Sequence, residues 1–506
     1  MKVRKILALL LAVVAVAALF AGCKAGKDIP TIEFWWTDNG ISSGGASGKV
    51  KLVEDQINRI CEENLGIHVH MTWVTAASYG TQLALAIANK ETVDVAVYQF
   101  YGVNSFVTQF SNGQMTPLND LLDAHGKDLK EMFGDILKGS TVDGKVYGIP
   151  TYRVLNTNMY WCVRKDDLQE AGVLEAAENV QTWADMEAVF EALKGLNKPN
   201  NYPLGGNKYI THGNGYVVGG MGSDNIYDST WAFDNLGDTL GFIWSDQDGN
   251  VDNVFTHPGS VESFKRHADW LEKGYIFPES AYTDESAEVL LAQDVFTSYF
   301  VTSEYGVETT KTQQVGTEML CLNMSAREGH QGLLGTDGAR RLGCYIPVTS
   351  GEPELAMKFI NFMYTSKELM NTLIWGVEGE TYVVNDKGEA CYPEGTDTTT
   401  CGYHSYDFML GNAFLDLPWE GQGSDFRERA LENFKAAPLS RYMGLSADTS
   451  NAAAIVAALS AVREEFRGQI DCGYYTDALF DEFVKKTDAA GFQEYLAIFR
   501  EAASEF

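Results

Sequence analysis

Positive charge is scarce in this chain: 38 Lys and Arg stand against 69 Asp and Glu, for a formal net charge of -31 over 506 residues. A surface of that sign repels phosphate backbones and anionic lipid while favouring solubility, so nucleic acid is excluded as a partner. The short signatures of common chemistries are missing as well. There is no Ser-His-Asp pattern, no zinc motif and no nucleotide loop. Eight cysteines are present, but they form no CxxC and no dense scaffold. With Cys23 set aside the other seven cannot all pair and read mostly as small buried residues, although Cys391 and Cys401 bracket a loop short enough to be bridged. Internal repeats and low-complexity tracts are absent too.

Two further patterns suggest metals and fall short of them. DQDGNVD at Asp246 to Asp252 misses the EF-hand spacing and has no glutamate at the right distance, so a hairpin turn at Asp248-Gly249 is the better reading. His68 and His70 alternate on one strand face without a third ligand nearby, as exposed strand residues do. No metal and no cofactor is implied.

The chain is long for one hydrophobic core, so two domains are expected. A hydrophobic content of 45%, with 12% aromatic residues, is ample to fill them. The first residues read as an export signal over 1–22: Lys2, Arg4 and Lys5 are basic, Ile6 to Phe20 is an apolar run too short for a comfortable membrane span, and Ala21-Gly22 precede Cys23. The end, LFAGC, resembles a bacterial lipobox, with Phe20 where an aliphatic residue is usual; a plain secretory signal and an uncleaved anchor are the rival readings. Residues 23–30 then form a polar tether.

Downstream, strands and helices alternate. Thr31 to Trp36 is a strand, Val50 to Glu63 a helix, Ile67 to Trp73 a strand, Tyr79 to Asn89 a helix and Val93 to Tyr98 a buried strand. This order predicts a mostly parallel sheet with ligand positions beyond the carboxyl ends of the strands, where Trp35, Trp36, Asp38, Gln99 and Tyr101 sit. VDGKVYGIPTYR, Val142 to Arg153, is the joint: a tight turn at Asp143-Gly144, a short extended run, and Pro150 as a stop. It reads either as a crossover between two lobes or as a hairpin inside one domain.

Beyond it, Tyr160 to Arg164 is a strand, and Thr182 caps a helix to Leu193. The Gly-rich run GNGYVVGGMG lacks the GK[ST] ending of a phosphate loop and reads as a loop over a ligand or as tight packing. Val261 to Lys273 is an amphipathic helix and Gly343 to Val348 a strand with a possible second crossing at Pro347. Pro353 to Tyr364, Ser366 to Ile374, Asn451 to Phe466, Thr476 to Ala489 and Gln493 to Ala502 are helices.

Several segments, in order, resemble the extracellular solute-binding proteins of ABC importers, family 1. They are the lipobox at Cys23, PLNDLLDAHG at Pro117 to Gly126, DGKVYGIP at Asp143 to Pro150, PVTSGEPELAMKFINFMYTSKELMN at Pro347 to Asn371, and GVEGETY at Gly376 to Tyr382. FDEFVKKTDAAG at Phe480 to Gly491 is similar to the extra C-terminal domain of the LipO-type lipoprotein branch. The resemblance implies an α/β, two-lobed periplasmic-binding-protein-like fold of type II with a ligand cleft between the lobes and a helical C-terminal region. The expected division is an N-terminal lobe at 31–150, a second lobe at 151–342, a return to the first lobe at 343–400, and a C-terminal region at 401–506 packing on the second lobe. It also implies a membrane permease as partner, with an ATPase behind it; the protein is expected to be a monomer held at the extracellular face of the membrane through lipidated Cys23.

Sugar rings need flat apolar surface for their C–H faces and planar polar groups for their hydroxyls. The expected ligand residues are Trp35, Trp36, Asp38, Gln99 and Tyr101 of the first lobe, Tyr152 and Arg153 of the hinge, Trp231 of the second lobe, and Glu378 with Trp419 from later segments. The expected cargo is an oligosaccharide, with a peptide or other polar solute as the alternative. An exported glycoside hydrolase using two carboxylates, and a surface protein that captures polysaccharide, are the rival functions.

Overall fold

The computed structural model describes residues 29–37, 49–99, 102–156, 158–198, 200, 202–206, 224–226, 234–238, 240–246, 248–324, 332–398, 400–445 and 447–506. The export segment with Cys23, the GNGYVVGGMG run, and Asp38, Tyr101 and Trp231 lie outside them.

The first lobe starts with β1 (Thr31–Thr37), whose alternation places Ile32, Phe34 and Trp36 in the core. Helix α1 (Val50–Leu65) buries Val53, Ile57, Ile60 and Cys61 at helical spacing and stops at Gly66, which takes the left-handed conformation a C-cap requires. β2 (His68–Val74), α2 (Ala76–Ala88) and the fully buried β3 (Val95–Tyr98) follow. β1 pairs in parallel with both β2 and β3. His68 and His70 lie beside Glu62 and Glu54 at 3.2 and 3.7 Å.

At the joint, Asp143 and Gly144 both have positive φ, 49° and 74°, as a two-residue hairpin turn between Thr141–Val142 and Lys145–Val146 demands. β4 (Ile149–Pro150) then ends the first lobe. Residues 151–156 are buried throughout and lead into the second sheet.

That sheet contains β5 (Asn158–Arg164), β6 (Tyr202–Leu204), β7 (Phe296–Ser303) and β8 (Met319–Asn323) in the order β8-β5-β7-β6. Its long pairings are antiparallel and only β6 with β7 is parallel. Helix α3 (Trp183–Lys194), begun by a reciprocal cap between Thr182 and Asp185, and α4 (Pro258–Glu272) cover one face. α5 (Val307–Val315) lies between β7 and β8 and covers the other. Ile243–Ser245 and Val251–Asn253 pair as a hairpin, with Gly249 at φ 99° and the Asp246 carboxylate accepting from the Asn250 backbone N–H at 2.8 Å.

The chain returns to the first sheet at β9 (Gly343–Tyr345), antiparallel to β3 and β4, giving the order β2-β1-β3-β9-β4. The second crossing therefore precedes Gly343 rather than falling at Pro347, and its backbone runs beside the first: the Thr151 N–H donates to the Leu342 carbonyl. α6 (Pro353–Thr365) and α7 (Lys367–Trp375) pack on the first core.

Asp94 fastens this return. Its buried carboxylate accepts from the Glu33, Gly351 and Glu352 backbone N–H groups and the Ser350 hydroxyl at 2.7 to 3.0 Å. Asp94→Ala strands four donors at once, and urea unfolding is expected to show a loss of about 2–4 kcal/mol with affinity unchanged in the surviving folded protein.

Residues 401–443 differ from expectation. Tyr403, Met409, Leu410, Ala430, Phe434 and Met443 enter the first core instead of the second lobe, carried by a loop and α8 (Phe426–Ala436). Their apolar spacing is irregular, so the partner surface was not readable from periodicity. The last three helices, α9 (Ala453–Asp471), α10 (Asp477–Ala489) and α11 (Phe492–Glu505), close a third core with Phe242, Phe255 and Phe264. Buried Asp238 ties that core together, accepting from three backbone N–H groups and from the Tyr495 hydroxyl at 2.6 Å. Cys391 and Cys401 are not joined by a disulfide; their thiols donate to the Glu389 and Tyr403 carbonyls.

Candidate functional site

A cavity of about 910 Å³ opens where the hinge, the second lobe and the 392–430 segment meet. The end of β7 and α5 form one wall, presenting Glu304, Thr309, Gln313 and Gln314. Tyr392, His404, Tyr406 and Trp419 form the other, and Arg153 and Arg341 line it from the hinge and the second crossing.

Trp419 stands on a clamped loop. Asn371 of α7 donates to the Leu415 carbonyl and accepts from the Leu417 N–H; the strand at Ala390 bonds the backbone on both sides of Trp419; and the Gln422 side chain accepts from its N–H at 2.8 Å. The indole meets Trp375 and His404 edge-on at 4.6 Å and Tyr392 at 5.6 Å. It is half-buried, so its position is fixed while part of its surface stays available. Across the cavity Gly306, at φ 84°, starts α5 where a Cβ would come within 2.3 Å of the Phe426 ring, so glycine permits the close approach of the two walls.

Each arginine at the cavity has a carboxylate. Arg153 pairs with Glu304 and donates to the Val154 carbonyl; Arg341 pairs with Asp337 at 2.8 Å; Arg427 donates to Asp407 at 2.6 Å and to Asp416 at 3.0 Å. Burial, with neighbouring Arg341, lowers the Arg153 pKa to about 9, which still leaves it charged at neutral pH. Burial also works against the Arg427 charge, but Asp416 and Asp407 outweigh it and hold its pKa above the usual value.

Burial lowers the pKa of His404 to about 4, and the same cause lowers that of His267, deep beside α3, to about 4. Each starts from 6.5 in the unfolded chain, so the unfolded state takes up protons first on acidification. Stability is therefore complete above pH 6.5 and falls between there and about 4, by about 3 kcal/mol per histidine as an upper figure. Urea melts across that range are expected to show the loss, and His267→Gln to reduce it.

Of the residues singled out from sequence, the cavity brings together Arg153 and Trp419. Trp36 is 1% exposed, its ring packed edge-on against Phe34 and Trp73 at 5.5 and 6.2 Å, which takes it out of reach of a ligand. Tyr152 is likewise buried, between Phe133, Phe414 and Phe434, directly behind the cavity. Trp35 and Gln99 are half-buried and do not line it, and Glu378 is exposed on a turn away from it. The strand-end rule pointed to the first sheet, whereas the wall is built by the later segment. Tyr392, His404, Tyr406, Glu304 and Gln313 were missed; HSYDF at 404–408 was the one local hint, a polar-aromatic run too short to assign.

A profile of the bacterial extracellular solute-binding proteins matches residues 56–376. The chain belongs to that family. A carbohydrate ABC transporter substrate-binding protein of Streptococcus pneumoniae is 22% identical over 448 residues, covering 86% of this chain and 84% of its own. The crystal structure of the N-glycan transport solute-binding protein NgtS from S. pneumoniae superposes with a TM-score of 0.76 at 19% identity, covering 94% of this chain and 98% of that one. The alginate-binding protein AlgQ2 without calcium ion gives 0.55 at 15% identity, over 94% and 98%. The solute-binding protein thus has the two-lobed fold of periplasmic sugar-binding proteins, and the cavity lies where the two lobes face each other.

Proposed function

We propose that this solute-binding protein captures an oligosaccharide and delivers it to an ABC importer from a lipid anchor at Cys23. One observation carries the reading: a cavity of about 910 Å³ with aromatic rings on one wall and, beside Glu304, uncharged hydrogen-bonding side chains on the other. Trp419, Tyr392 and Tyr406 offer flat apolar surface to the C–H face of a ring; Thr309, Gln313 and Gln314 meet its hydroxyls; Arg153 sits where the lobes pivot. Ligand touching both walls favours the closed arrangement, and the lobe angle reports loading to permease subunits. The protein acts as a monomer, and the relatives named for carbohydrate and N-glycan support the same class of cargo.

The two carboxylates lining the cavity, Glu304 and Asp407, are each paired with an arginine. Neither is an unengaged carboxyl group facing a glycosidic oxygen, as a glycosidase acid must be. The test is a thermal-shift screen of residues 24–506 against mono- and oligosaccharides, with each sugar analysed for cleavage over hours. At a hundredfold excess over the dissociation constant a ligand adds about 2.7 kcal/mol. A shift with the sugar intact is the expected result. Cleavage would move the protein to the glycoside hydrolases, and a shift with peptides alone would replace the cargo.

A further inference from the structure

We infer that the cleft takes an uncharged oligosaccharide and rejects its uronate counterparts; this rests on the carbohydrate reading above and narrows it. Three cations line the cavity among the described residues, Arg153, Arg341 and Arg427, and each already holds a carboxylate. No lysine joins them in that lining. A sugar carboxylate entering here gives up its hydration and meets guanidinium groups that are committed elsewhere, while Glu304 and Asp407 repel it.

The remaining contact groups are neutral. Thr309, Thr310, Gln313 and Gln314 line the second-lobe wall, and Tyr392 and Tyr406 the other. Hydroxyls are matched by amides and hydroxyls at no electrostatic cost, and the C–H faces by rings. The formal charge of -31 on the chain adds a repulsive outer field, which salt confines to about 8 Å at physiological ionic strength. The ion pairs inside the cleft are not removed by salt in the same way, so the selectivity is set locally.

Calorimetry on residues 24–506 tests this with two matched sets. One holds neutral hexose and N-acetylhexosamine oligosaccharides; the other holds hexuronate oligomers, in which the C6 hydroxymethyl is a carboxylate. Both are run at low and high salt. The expected result is a neutral binder at least tenfold tighter than any uronate at both salt levels. A uronate that binds as tightly or more tightly overturns the inference and leaves the carbohydrate reading standing. Binding of a peptide or other solute with none of either sugar set overturns both. Glu304→Gln supplies a gain-of-function check: Glu304 is 43% exposed in its side chain, so the fold tolerates the change, and Arg153 is left needing a carboxylate. The neutral preference is expected to narrow about tenfold in that variant, and an unchanged preference would overturn the ion-pair explanation.

Discussion

Trp419→Ala is expected to weaken oligosaccharide binding by tenfold or more, about 1.4 kcal/mol at the least, while the protein stays folded. The indole is the largest ring facing the cavity, and its backbone is held by the Ala390 strand and the Gln422 side chain rather than by its own ring packing. Removing it takes away the stacking surface and leaves the loop in place. Trp36→Phe is the informative control. That ring is 1% exposed within the first core, so the change is expected to lower stability in urea and leave affinity unaltered. Calorimetry on both variants separates the two roles. Equal losses of affinity would show that the strand ends, and not the later segment, hold the ligand.

Asp416→Ala is expected to cost about 3–5 kcal/mol of stability, the range for removing one partner of a buried ion pair. The Asp416 side chain is fully buried against Arg427, whose own side chain is 12% exposed. Its loss leaves the guanidinium with the Asp407 carboxylate and the Leu417 carbonyl. The change falls on α8 and the loop that carries Trp419, so affinity drops with stability. Arg427→Met on top of Asp416→Ala removes the stranded charge and is expected to restore part of the stability, though the double variant leaves Asp407 without its partner. Urea melts of the single and double variants measure this. A single-variant cost under about 1 kcal/mol would mean that water reaches the pair.

The legibility of this chain follows the range of its interactions. Local signals were plain: the Asp143-Gly144 turn, the Thr182 cap, the 3.6-residue spacing of α1 and the alternation in β1 each depend on residues a few positions apart. The antiparallel second sheet was not plain, since β5 pairs with β7 and β8 more than 130 residues away and both faces are buried, which erases the alternation. The site shows the same division. Of the residues that line the cavity, Arg153 was singled out because it follows a stiff joint, and Trp419 because it stands in a loop of turn residues. Trp36 and Tyr152 have the same chemistry and equally suggestive neighbours; only the packing of Trp73, Phe414 and Phe434 against them decides that they are core. Tyr392, His404 and Trp419 come together through the Ala390 bridge and α7, contacts that no sequence period records.

The measurement that tests the central claim most directly is a crystal structure of residues 24–506 with the oligosaccharide that gives the largest thermal shift. The account predicts a sugar ring stacked on Trp419, with hydroxyls bonded to Gln313 or Gln314 of α5 and the sugar chain intact. A sugar bound at the carboxyl ends of β1 and β3, with Trp419 uncovered, would contradict it.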